Sequence, residues 1–292
     1  MHDSHCHIQD EPLMSNIADV IDLFVKNNGK HILVQGTDLV DFADAFSIAE
    51  RFNKLYPRLI QTAIGLHPSY FQEITVDKGI TDNLYEISQK AIDKYNKYFA
   101  DKCNDISAIG ETGLDYYGLD REEYTEELVE QFKEIQKISL RNQLRLAKRH
   151  MLPLSLHVRG DKSCVKDALR LIAEEGDGLL RGSFHSYTGD IGLVEDILDI
   201  GFCIGFNAII TYKSGQIVRD IIKKVPVDRI LFETDAPFLP PQSVRKNKHI
   251  KEKFSQPYDV KEIIQTSADV LGMNPVYLED NADDNYNRVF LS

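Results

Sequence analysis

Eight short apolar runs, separated by amphipathic stretches, constrain this chain more than any other feature. The runs are Met1–His7, His31–Gly36, Ile60–Leu66, Ser107–Glu111, Pro153–Val158, Gly182–His185, Gly201–Phe206 and Arg229–Asp235. Most are continuous in apolar and small residues rather than alternating, the pattern of strands buried on both faces. Between them, Asn16–Asn28, Asp41–Tyr56, Glu122–His150, Lys162–Glu175, Ile191–Asp199 and Gln216–Val225 place apolar residues at three- and four-residue intervals, as a helix with one buried stripe does. Strand then helix, repeated, gives a parallel sheet covered by helices. Eight such units close a TIM-type (β/α)8 barrel of about 250 residues. The expectation is therefore one α/β barrel domain over residues 1–292, distorted in places. Tyr70–Asp105, charged and rich in Tyr and Lys, and the proline-rich Pro237–Pro257 exceed the plain unit. Both are expected on the C-terminal face, where barrel enzymes place their sites.

The residues that end the runs are polar. His5 and His7 end the first, Glu111 the fourth, His157 the fifth, His185 the sixth and Asp235 the eighth. A polar group at a buried strand end is costly without a partner. In a closed barrel these six would converge on one mouth. Residues two apart in a strand share a face, so His5 and His7 aim together and Cys6 points away, toward the helices. Four histidines and two carboxylates suit a divalent metal: Zn, Mn, Fe or Mg, according to geometry. A carboxylate bridging two ions would make a two-metal site, and the reaction class is metal-assisted hydrolysis. Glu233, two residues before Asp235, could support the site from behind.

Composition excludes some functions. With 34 basic and 46 acidic residues the net charge is −12, against a protein that coats long nucleic acid non-specifically. An enzyme holding a few phosphates in one pocket is not excluded. Cys6, Cys103, Cys164 and Cys203 form no CxxC pair and read as reduced thiols. No apolar run reaches membrane-spanning length and no signal peptide is visible, so the expected setting is cytoplasmic, or nuclear in a eukaryote. Arg245–Lys253, RKNKHIKEK, is either a solvated charge run or a patch that holds substrate backbone beside the site.

Six motifs then occur in order: DSHCH at Asp3–His7, GLHP at Gly65–Pro68, IGETGLDYY at Ile109–Tyr117, LHVR at Leu156–Arg159, FHSYTG at Phe184–Gly189 and ETDAPFLPP at Glu233–Pro241. With NYNRVF at Asn285–Phe290, they resemble the TatD-type deoxyribonucleases of the amidohydrolase superfamily across nearly the whole chain. The resemblance implies that His5, His7 and Asp235 hold one metal ion and His157 and His185 another. Glu111 would bridge them, and Asp235 would also orient or deprotonate the attacking water. The ions would be Mg, Mn or Zn. His67 and Arg159, beside family motifs, become candidates for substrate phosphate. The implied activity is metal-dependent hydrolysis of DNA, as a 3′-to-5′ exonuclease on single strands or 3′ ends. Three stretches depart from the family pattern: Ser186–Tyr187–Thr188 after the fourth histidine, Phe206–Asn207, where small residues are more typical, and Tyr70–Asp105, longer and more charged than in short bacterial members.

Two rival functions follow from the same residues. One is a hydrolase of this scaffold acting on an ester or amide, D-aminoacyl-tRNA deacylation among them. The other is a metal-dependent binding protein without turnover.

Overall fold

The structure, a computed structural model, describes residues 1–292. Its strands are β1 (His2–Cys6), β2 (His31–Gly36), β3 (Ile60–Ile64), β4 (Ala108–Asp115), β5 (Leu154–Arg159), β6 (Gly182–His185), β7 (Cys203–Phe206) and β8 (Ile230–Phe232). All neighbours pair in parallel, in sequence order, as one eight-stranded sheet. Beyond β8 the chain turns back to β1: Asp235 N–H donates to His5 O at 2.9 Å and His7 N–H to Ala236 O at 2.7 Å. These bonds bring the last strand against the first and make a nearly closed (β/α)8 barrel.

One large apolar cluster fills the space between strands and outer helices. Cys6 lies in it, fully buried, facing the helices as alternation requires. A smaller cluster of Leu33, Ala63, Ala108, Cys203 and Leu231 fills the barrel floor, sealed by Tyr286, Val289 and Phe290 of the C-terminal segment. Asn285 Nδ2 ties that segment to Val227 O and Ile230 O, both at 2.9 Å. NYNRVF therefore plugs the floor, opposite the mouth.

The longest helix, Glu126–His150, starts four residues later than its apolar period suggests, because Thr125 caps it by accepting from Leu128 N–H. Acidic residues fill its first turn and basic ones its last, matching the helix dipole. Tyr70–Asp105 corrects an expectation. Only its start lies at the mouth. Its helix Leu84–Lys102 belongs to the outer ring, with Tyr95 fully buried, its OH donating to Ile64 O and its ring against Phe42. No helix is long and apolar enough to cross a membrane.

Candidate active site

All six run-ending residues meet at the C-terminal mouth of the barrel. His7, Glu111, His157, His185 and Asp235 line a cavity of about 480 Å³, and His5 lies beneath it, fully buried. His5 Nε2 and His7 Nε2 are 3.1 Å apart. Glu111 Oε2 lies 3.4 Å from each, and Asp235 Oδ1 lies 3.6 and 3.4 Å from them. The other Glu111 oxygen, Oε1, lies 2.7 Å from His157 Nδ1 and 2.8 Å from His185 Nε2. One carboxylate thus turns one oxygen to each pair of imidazoles.

The far nitrogens of these rings are held from behind. Ser155 Oγ is 3.0 Å from His5 Nδ1 and Asp115 Oδ2 is 3.1 Å from His157 Nε2, while Glu233 Oε1 faces His185 Nδ1 at 3.5 Å without a hydrogen bond. Such partners fix the tautomer and turn the near nitrogens inward. Lone pairs of His5 and His7 this close repel unless a proton or cation lies between them. The donor set fits a divalent cation there, from His5, His7 and Asp235, and others from His5, Glu111 and His185 or from His67, Glu111 and His157.

Electrostatics keep both carboxylates charged. Burial opposes ionisation of Glu111, but the imidazoles around it, His185 foremost and with His157 hydrogen-bonded to it, outweigh it and hold the acid well below its ordinary range. Burial likewise opposes Asp235, and the hydrogen bond to His7 together with the nearby His5 and His185 outweighs it. In return, though burial disfavours its charge, His7 is held up at about 10 by Asp235 and Glu111. Asp235 takes a left-handed backbone, φ 59°, and Ser186 another, φ 48°. Asp tolerates that region through its short polar side chain.

The two phosphate candidates also reach the mouth. His67 Nδ1 is held by Ser69, 2.7 Å from its Oγ and 3.1 Å from its N–H, which turns Nε2 toward the mouth, 3.6 Å from Glu111 Oε1. Burial holds this ring neutral, its pKa lowered to about 3. Arg159 is exposed, its guanidinium 4.2 Å above the Tyr117 ring.

Several supporting residues are not evident from the sequence. Asp3 accepts from Thr234 N–H and Oγ1, locking the turn before Asp235. Asp115 accepts from His157, and Gln136 Oε1 accepts from Asp115 N–H at 2.9 Å. The Gly–Leu–Asp spacing after Glu111 is the available signal for Asp115. Two of the departures from the family pattern touch one another: Asn207 Nδ2 donates to Ser186 Oγ at 2.6 Å, and Ser186 lines the mouth.

The family described as "TatD related DNase" matches residues 2–291. The chain belongs to the TatD family. It is 27% identical to the uncharacterized metal-dependent hydrolase YabD of Bacillus subtilis over 99% of this chain and 98% of the relative. It is 30% identical to YjjV of Escherichia coli, another uncharacterized metal-dependent hydrolase, over 82% of this chain and 80% of that one. Among solved structures, the TatD homologue YjjV superposes with a TM-score of 0.74 at 23% identity, covering 100% and 98% of the two chains. A phosphotriesterase homology protein from Escherichia coli superposes at 0.64 with 12% identity, covering 99% and 98%. At these identities the solved structures speak for the barrel alone. This TatD-family chain is a metal-dependent hydrolase.

Proposed function

We propose that this TatD-family hydrolase is a deoxyribonuclease that removes nucleotides from the 3′ end of single-stranded DNA with two divalent ions, Mg, Mn or Zn. The observation that carries the reading is Glu111, with Oε2 toward His5 and His7 and Oε1 toward His157 and His185. His5, His7 and Asp235 would hold one ion, His157 and His185 the other, and Glu111 both. Bound there, the ions would supply Lewis-acid stabilisation of charge developing on a phosphodiester and make water more acidic.

The chain's own residues do the rest. Asp235, ionised and the more exposed of the two carboxylates, takes the proton of the attacking water. A new P–O bond forms, the bond to the leaving sugar oxygen breaks, and solvent supplies that oxygen's proton. The His67 ring, through Nε2, and the Arg159 guanidinium contact the non-bridging phosphate oxygens. Asp115 and Ser155 hold His157 and His5 in their tautomers, and the Glu233 carboxylate faces His185 Nδ1. The family name supports a DNA substrate.

The test is a 5′-labelled single-stranded oligonucleotide with Mg, Mn or Zn. A ladder shortening from the 3′ end is expected. Turnover of D-aminoacyl esters or amides with no oligonucleotide cleavage would move the enzyme to another branch, and metal-dependent binding without turnover on any substrate would make it a binding protein.

A further inference from the structure

The segment that follows Asp235 leaves the mouth and returns to it. Phe238 and Leu239 line the cavity, and Phe238 is 51% exposed with its ring edge-on to His7, centroids 5.7 Å apart. The chain then runs outward through the short helix Gln242–Lys246 and comes back at Ser255, whose N–H donates to Pro237 O at 2.9 Å. The base of this loop is therefore pinned two residues from Asp235.

The loop is built rather than merely long. Gln242 N–H donates to Thr211 Oγ1 and Tyr212 OH to Pro240 O, both at 2.9 Å. Arg245 lies 4.3 Å over the Tyr212 ring, and Lys253 Nζ donates to Arg245 O across the loop. Its outer half carries Arg245, Lys246, Lys248, Lys251 and Lys253, all exposed, with Glu252 as the lone acid of that run. None of the five makes an ion pair, whereas surface lysines on the helices often do, as Lys26 with Asp22, Lys54 with Glu50 and Lys90 with Glu86. Exposed unpaired cations on a chain of net charge −12 are a local field of the opposite sign.

Position decides what the field is for. Nine residues separate Lys246 from Pro237 and from Ser255, so the backbone that carries these cations lies at most roughly 32 Å from Pro237. A single strand with its 3′ end in the mouth covers that distance with about ten nucleotides or fewer, since even the stacked duplex rise of about 3.4 Å per nucleotide gives roughly 34 Å for ten. We propose that the loop Phe238–Phe254 is a nucleic-acid arm. Its cations hold the backbone of the single strand upstream of the nucleotide being removed. This rests on the deoxyribonuclease reading for the direction of the strand, but the arm's contact with nucleic acid is measurable without turnover.

The experiment compares wild type with Lys246→Gln/Lys248→Gln/Lys251→Gln. Binding of a fluorescent single-stranded 20-mer is followed by anisotropy from 50 to 300 mM salt, with chelator present so that nothing is cleaved. Cleavage of the 20-mer and of a dinucleotide is followed with Mn. The triple variant should bind the 20-mer at least ten-fold more weakly at 50 mM salt, and its log–log salt slope should fall by about two, at roughly 0.7 for each phosphate no longer neutralised. KM for the 20-mer should rise with kcat unchanged, and dinucleotide turnover should not move. Equal 20-mer affinity and salt slope in the two proteins would overturn the arm and leave the deoxyribonuclease reading standing. Loss of 20-mer binding in a protein whose wild type cleaves no oligonucleotide would keep the arm and remove that reading. A wild type that ignores the 20-mer, or a variant that loses only binding to vesicles of anionic lipid, would overturn the arm.

Discussion

Glu111 is only 4% exposed, and five imidazoles surround it: His5, His7, His67, His157 and His185. A buried carboxylate needs such company, since unpaired charge in the interior is strongly unfavourable. Asp235 differs in being partly open to the mouth, which suits a group that must exchange protons. Asp235→Asn should keep the fold and lower kcat by on the order of 10²–10⁴-fold, the range for a positioned acid–base group; thermal melting monitored alongside turnover separates the two effects. Asp115 acts through His157. Asp115→Asn should weaken metal affinity about 10- to 100-fold, with a smaller effect on kcat at saturating metal, as calorimetric titration would show.

At the scale of elements, β4 and β8, which lead to the two carboxylates, depart most from their apolar runs. β4 runs on to Asp115, beyond the apolar run that ends at Glu111, because pairing with β5 resumes after a register shift and continues from Thr112–Leu156 to Asp115–Arg159. Gly113 permits it: at φ +153° any Cβ would lie 1.8 Å from His157 O. Read along the sequence, Glu–Thr–Gly looks like the end of a strand. β8 stops at Phe232, short of the Asp235 expected from its apolar run, because Thr234 bonds to Asp3 and Asp235 turns left-handed. β2 and β6, which need neither device, have the bounds their apolar runs suggest. Gly205 on β7 is a close approach of another kind, since a Cβ there would sit 2.3 Å from Glu233 Oε2. Gly205→Ala should displace Glu233 from behind His185, costing about 1–3 kcal/mol in chemical denaturation and weakening metal binding in the same protein.

Across the whole molecule, the mouth and the floor are held by different chemistry. On the floor, Asp283 accepts from His2 and from Lys30 Nζ at 2.6 Å, and the His2 ring lies parallel to and against both His31 and Tyr286. Burial opposes the Asp283 charge, but its contacts with His2 and Lys30 outweigh it and depress its pKa. Burial also lowers His2, which leaves Lys30 and the Met1 ammonium, 3.2 Å from Asp283 Oδ2, as the cationic partners. A depressed carboxylate adds stability that is complete above the unfolded value, near about 4, and is lost as pH falls toward the folded one. Asp283→Asn should therefore narrow the stability gap between pH 6 and pH 3 relative to wild type in urea melts. Barrel and mouth are legible in the sequence because apolar runs and the polar residues ending them are local patterns. The partners behind the ligands, Asp3, Asp115, Ser155 and Gln136, are not, because each serves an element distant in the chain or hidden by a bulge. The outer helix Leu84–Lys102 reads as a mouth insert because its many charges mask an inner stripe of Leu84, Ala91, Ile92, Tyr95 and Phe99.

The claim on which the rest depends is that Glu111 serves two ions at once. Metal content and turnover should be measured together, by titrating chelator-stripped wild type and Glu111→Gln with Mn while following 3′-end cleavage of a single-stranded oligonucleotide. Wild type should regain activity as it approaches two equivalents per chain, and Glu111→Gln should bind both ions more weakly and lose turnover. Full activity at one equivalent, or unchanged turnover in Glu111→Gln, would contradict it.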